Sequence, residues 1–171
     1  LLPFPVPHDA REPAHFVFSD GAHRLGVLTD TGSSTSHIEA MLSGCDALVL
    51  ECNHDLELLL NGDYPQSLKA RVAGRYGHLD NQASAGLLAA LDRSRLQHVI
   101  AAHLSQHNNT PELACQALAQ VIHCLLRTYP TLLRQRIAGH SDIAPGRKTD
   151  PGTGFDWAML NRLLDETEST A

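Results

Sequence analysis

Little of this sequence is aromatic and little of it is charged. Aromatic residues make up 5% and charged residues 19% of the chain, and the formal net charge is −6. That acidic balance excludes a protein that grips nucleic acid through bulk positive charge, although a bound cation could still supply positive charge locally. No apolar run approaches the roughly 18–20 residues of a membrane span. No basic region followed by a long apolar stretch opens the chain, so no signal peptide is expected. An initiator methionine is also missing, and the sequence reads as a fragment or a processed product. No Cys-x-x-Cys pair occurs. Cys45, Cys52, Cys115 and Cys124 read as buried thiols of a reducing cytoplasm rather than a disulfide framework or a thiolate zinc site. Nor is there a Gly-x-Ser-x-Gly, which makes a covalent serine hydrolase a poor reading.

What the chain does have is histidine, eleven in 171 residues, on a background that is 43% hydrophobic. Such a background suits one globular domain or two small ones. His15, His23, His37, His98 and His107 show no partner pattern. His8, His78, His103 and His140 stand beside Gly, Pro or Asp, or at the end of an apolar run, where loops carry function.

The patterning alternates. Residues 16–18, 25–28, 47–50 and 99–102 read as strands. Residues 36–42, 56–60, 66–72 and 81–91 read as helices, with Asp80 able to cap the last. A longer helix is expected over 111–129. Thr110 can cap it, Pro111 suits its first turn, and Leu113, Ala117, Leu118, Val121, Ile122, Leu125, Leu126 and Tyr129 form an apolar stripe. A short strand at 136–138 and a final helix at 155–164 follow. Alternation of this kind implies an α/β class with helices layered on a sheet, and polar clusters just after strands mark where such folds place their sites.

Three of those clusters suit a zinc hydrolase, which needs imidazoles and carboxylates converging from strand ends. They are His8 in Pro-Val-Pro-His-Asp-Ala, Asp30 in Leu-Thr-Asp-Thr-Gly and His103 in Ala-Ala-His-Leu-Ser. With Leu-Val-Leu-Glu-Cys-Asn-His-Asp and Gly-His-Leu-Asp-Asn, and in this order, they resemble the nuclease-like and phosphodiesterase branch of the metallo-β-lactamase superfamily. The resemblance spans residues 4 to 109. It implies His8 as a ligand of one metal, Asp30 as a bridging carboxylate and His103 as a ligand of a second metal. It also implies Asn53, His54 and His78 as substrate contacts. The family's His-x-His-x-Asp-His signature does not occur in the chain, so one zinc ion is expected rather than two. The implied fold is the second half of an αββα sandwich over residues 1–120.

A different motif lies at 139–157, Gly-His-Ser-Asp-Ile-Ala-Pro-Gly-Arg-Lys-Thr-Asp-Pro-Gly-Thr-Gly-Phe-Asp-Trp. It resembles the C-terminal segment of the zinc-dependent 1,6-anhydro-N-acetylmuramyl-L-alanine amidases of peptidoglycan recycling. The resemblance implies His140 and Asp150 as zinc ligands and Lys148 as the cation that steadies an oxyanion, while Asp156 and Trp157 look structural. Thr153 stands where a proline is expected, and no upstream segment matches that family's first histidine ligand or catalytic glutamate. Residues 121–171 are thus expected to form an amidase-like helix-loop-helix tail.

The two resemblances meet inside the helix at 111–129, as in a natural recombinant, a misassembled gene or a deliberate chimera. The leading reading is a cytoplasmic, zinc-dependent hydrolase of phosphodiester bonds with an incomplete metal site. A muropeptide amidase is the second, and a silent fragment holding at most one metal is the third. No membrane partner is expected, and an uncovered sheet face would favour a homodimer.

Overall fold

The computed structural model describes residues 1–110 together with 113, 114, 116, 117, 120 and 121. The expected strand at 136–138, the helix at 155–164 and the tail motif lie outside the described residues. Five strands form one sheet in the spatial order of the sequence: β1 (Leu2–Pro5), β2 (Ala14–Ser19), β3 (Arg24–Leu28), β4 (Ala47–Glu51) and β5 (His98–Ala102). The first two pairings are antiparallel and the last two parallel. Helix α1 (Ser36–Leu42) joins β3 to β4. Helices α2 (Leu56–Asn61), α3 (Gln66–Val72) and α4 (Asn81–Ala90) join β4 to β5.

Local chemistry explains most of these boundaries. Thr35 caps α1 by accepting the Ile38 N–H, Asp55 caps α2 through Leu58, and Asp80 caps α4 through Gln82 and Ala83. Thr110 accepts the Leu113 N–H, and the described residues that follow it are helical. Strand β1 is the one element the sequence pattern does not announce. Pro3 and Pro5 cannot donate to a ladder, which confines such a segment to a sheet edge, and β1 occupies that edge.

Register sets the two faces of the sheet. Val17, Gly26, Leu48 and Val99 lie in one cross-strand row. On that face α1 and α4 supply Ile38, Leu42, Leu87 and Leu88, which close a continuous core with Phe4, Leu28, Leu50 and Leu79. Each such fully buried side chain contributes about 1.5–3 kcal/mol. The opposite face carries the row Phe16, Val27, Val49 and Ile100. Beside it Phe18 is 47% exposed.

Candidate metal centre

Three parallel strands end on one side of the sheet, and the loops that leave them converge. Asp30 follows β3, Glu51 is the last residue of β4 and His103 follows β5. His78 reaches the same place from the loop between α3 and α4. Asp30, Glu51, His78 and His103 can each offer one ligand atom, and those atoms all lie within 4.8 Å of one another. Asp30 Oδ1 is 3.8 Å from His78 Nδ1 and 3.6 Å from His103 Nδ1.

Glu51 is the hub. It is fully buried, and its Oε1 accepts from Nδ1 of both His78 and His103 at 2.8 Å. Its Oε2 accepts the Thr31 N–H at 3.0 Å and the Leu79 N–H at 3.3 Å. Burial alone pushes the Glu51 carboxyl up, but the bonds from His103, His78 and Thr31 outweigh it and bring the group to about 2. A carboxylate is an acceptor only, so both rings must carry their proton on Nδ1. That leaves Nε2 of each ring with its lone pair, the state in which imidazole binds a metal. Saturated by four donors, Glu51 orients the two histidines, and Asp30, whose side chain is 46% exposed, is the open carboxylate.

Two backbone positions set this cluster apart. Asp30 (φ 49°) and His103 (φ 59°) are the non-glycine residues with positive φ among the described residues. Left-handed backbone costs an L-residue about 1–2 kcal/mol, and such strain collects where a side chain has to be aimed.

His8 stands beside the cluster. Its Nδ1 donates to the Gly77 carbonyl at 3.0 Å, and its ring centroid lies 5.2 Å from that of His78. Asn53 and His54 are buried behind it, at 8% and 1% exposure, with their side chains bonded to protein groups. Sequence reasoning gave Glu51 no role. The signal was there, since Glu51 ends an apolar strand as Asp30 and His103 do. Lys148, His140 and Asp150 lie outside the described residues.

No protein-family model matches the chain. It is 38% identical over 119 residues to the exodeoxyribonuclease YycJ of Bacillus anthracis, a stretch covering 70% of this chain and 45% of that protein. It is also 49% identical over 55 residues to the 1,6-anhydro-N-acetylmuramyl-L-alanine amidase AmpD of Escherichia coli, covering 32% of this chain and 29% of the amidase. The chain thus spans less than half the length of the curated relatives it matches. Among solved structures it is similar to the metallo-β-lactamase fold protein YhfI of Bacillus subtilis. The TM-score is 0.50 and the identity 14%, over 70% of this chain and 41% of that one. The chain therefore carries part of a metallo-β-lactamase fold in a sequence similar to exodeoxyribonucleases, together with a stretch similar to the 1,6-anhydro-N-acetylmuramyl-L-alanine amidases.

Proposed function

We propose that this chain is a metal-dependent hydrolase of phosphodiester bonds, nuclease-like in substrate, with its reacting centre at Asp30, His78 and His103. The observation that carries this reading is the convergence of two strained strand-end residues, Asp30 and His103, with His78 around one buried carboxylate. The likeness to exodeoxyribonucleases supports the substrate class.

The donor set suits zinc. Two neutral imidazoles and one carboxylate leave a fourth position open in a tetrahedral site. The His78 and His103 imidazoles and the Asp30 carboxylate would hold one ion, with His8 adjacent. A bound zinc would lower the pKa of water and polarise a phosphoryl oxygen. The chain's own contribution is to hold the ligands. Glu51 fixes both tautomers, and the Gly77 carbonyl holds the His8 ring so that its Nε2 is the lone-pair nitrogen.

The amidase-like stretch supports a second reading, in which His140 and Asp150 hold zinc and Lys148 steadies the oxyanion of a muropeptide amide. The proposed boundary between the two parts lies near residues 120–121, in a chimeric chain. A cytoplasmic location goes with this proposal; among the described residues no helix is long and apolar enough to cross a membrane. Pairing of two copies through the face that bears Phe16 and Phe18 is the proposed assembly, read by light scattering.

The test is zinc content after dialysis, measured on the chain and on Asp30→Asn and His103→Ala variants. Assays of a nitrophenyl phosphodiester and of single-stranded DNA accompany it. About one zinc per chain, lost in both variants together with hydrolysis, is the expected result. No retained zinc, or retention that ignores both substitutions, would overturn the reading and leave a silent fold fragment.

A further inference from the structure

His103 sits in a left-handed backbone conformation at the end of β5, and something must hold it there. The structure places one side chain in position to do so. Asn53 Nδ2 donates to the His103 carbonyl at 2.9 Å, and the Asn53 carbonyl accepts the Ser105 N–H at 2.8 Å. Asn53 thus brackets the turn 103–105 from both sides.

Asn53 is itself held. Its N–H donates to the Leu79 carbonyl at 3.0 Å. Its Oδ1 faces His54 Nδ1 at 3.3 Å, which fixes the amide orientation with its N–H₂ towards His103. Behind it, Asn81 and Asn109 exchange side-chain hydrogen bonds at 2.9 Å in both directions. Asn109 Nδ2 also reaches the carbonyls of Cys52 and Asn53 at 3.0 and 3.2 Å. Asn53, His54, Asn81 and Asn109 are all buried. A buried network in which every asparagine side chain is paired is rigid, and it imposes a single geometry on what it touches.

We infer that Asn53 is a positioning residue: backed by the Asn81–Asn109 pair, it holds the 103–105 turn in the conformation that aims the His103 imidazole at Glu51. It acts through His103, which explains why a residue in the segment that resembles a substrate-contacting motif is buried. Only an amide serves here. The position needs a donor towards His103 and an acceptor towards His54, and a carboxylate of the same shape would set an oxygen against the His103 carbonyl. The consequence for metal binding rests on the reading of this cluster as a zinc centre. The consequence for the His103 ring does not.

Asn53→Asp in the full chain separates the two. In the unsubstituted protein the Nδ1 protons of His78 and His103, both bonded to Glu51, are expected as two protected downfield resonances. Asn53→Asp is expected to remove the His103 resonance and keep that of His78. Zinc affinity, measured by competition with a chromophoric chelator, is expected to fall about tenfold or more. Asn53→Ser, neutral and too short to span to His103, is expected to lose the same single resonance. Ile38→Val, a core truncation remote from the turn, controls for general loss of stability and is expected to keep both resonances and the affinity. Retention of the His103 resonance in both Asn53 variants would overturn the inference. So would loss of both resonances together, which would make Asn53 a generally structural residue. If the unsubstituted chain holds no zinc, the metal reading fails while the resonances still judge the clamp.

Discussion

His54 is 1% exposed, and its Nε2 is buried with no hydrogen-bond partner. Burial pushes its pKa below the ordinary histidine value, and burial does the same to His15. In the unfolded chain each ring takes up a proton as the pH falls through about 6.5. In the folded chain it resists protonation until a lower pH. The stability these rings contribute is therefore complete above about pH 6.5 and is lost as the pH falls towards their folded values. Glu51, held at about 2 in the folded chain, is ionised in both states above about pH 5.5 and adds little to the slope there. Urea midpoints should fall between pH 7.5 and 5.5, and His54→Gln should flatten the fall; equal slopes would remove His54 as a cause. The same residues mark the edge of what sequence can reveal. Asp30 and His103 are legible because each ends an apolar strand in a polar turn. Glu51 obeys the same rule but sits on the last strand residue, and its role depends on two histidines 27 and 52 positions away that no local pattern connects. His78 is legible as a loop histidine, while its place in the cluster depends on how the loop before α4 returns to the end of β4.

Elements were more legible than side-chain roles, because periodicity and capping are local. β3, β4, β5 and α4 lie where alternation, apolar runs and the Asp80 cap put them, and β1 alone is hidden by its prolines. What sequence does not reveal is how closely two loops pass. A Cβ added at Gly77 would collide with the backbone carbonyls of Val72 and Arg71, and one added at Gly32 would meet the backbone of Arg75 and Gly77. The loop after Asp30 therefore lies backbone on backbone against the loop that carries His78, and Gly32 N–H is anchored on the Pro7 carbonyl at 2.8 Å. Gly77→Ala should push the His78 loop off the end of α3, cost about 1–3 kcal/mol and weaken zinc retention by moving His78 off Glu51. Gly86→Ala is the contrasting change. It lies on α4 with nothing within 4 Å of the added methyl, so it should stabilise the chain by about 0.5–1 kcal/mol and leave metal retention alone. Thermal denaturation and zinc analysis of both variants check the pair, and equal effects would remove the contact with the end of α3 as the reason for glycine at 77.

At the scale of the whole molecule the question is whether one chain carries one zinc site or two partial ones. Every group in the described cluster, from Asp30 to His103, is placed by β3, β4, β5 and the loops between them, and the asparagines behind it close by residue 109. The stretch at 139–157 lies outside the described residues. That stretch was legible through its Pro- and Gly-punctuated motif, which carries little periodicity, so its chemistry can be read from sequence without its placement. If the two donor sets are independent, His140→Ala and Asp150→Ala should leave the affinity of the Asp30–His103 centre unchanged, within about twofold. His103→Ala should abolish that centre without altering any zinc held at His140. Titration with a chromophoric chelator, run on the three single variants and on a His103→Ala/His140→Ala double variant, decides it. Losses that add in free energy mean separate sites, since distant independent substitutions add. A single substitution at His140 that removes as much zinc as one at His103 would mean that the two ancestries share one mixed ligand set.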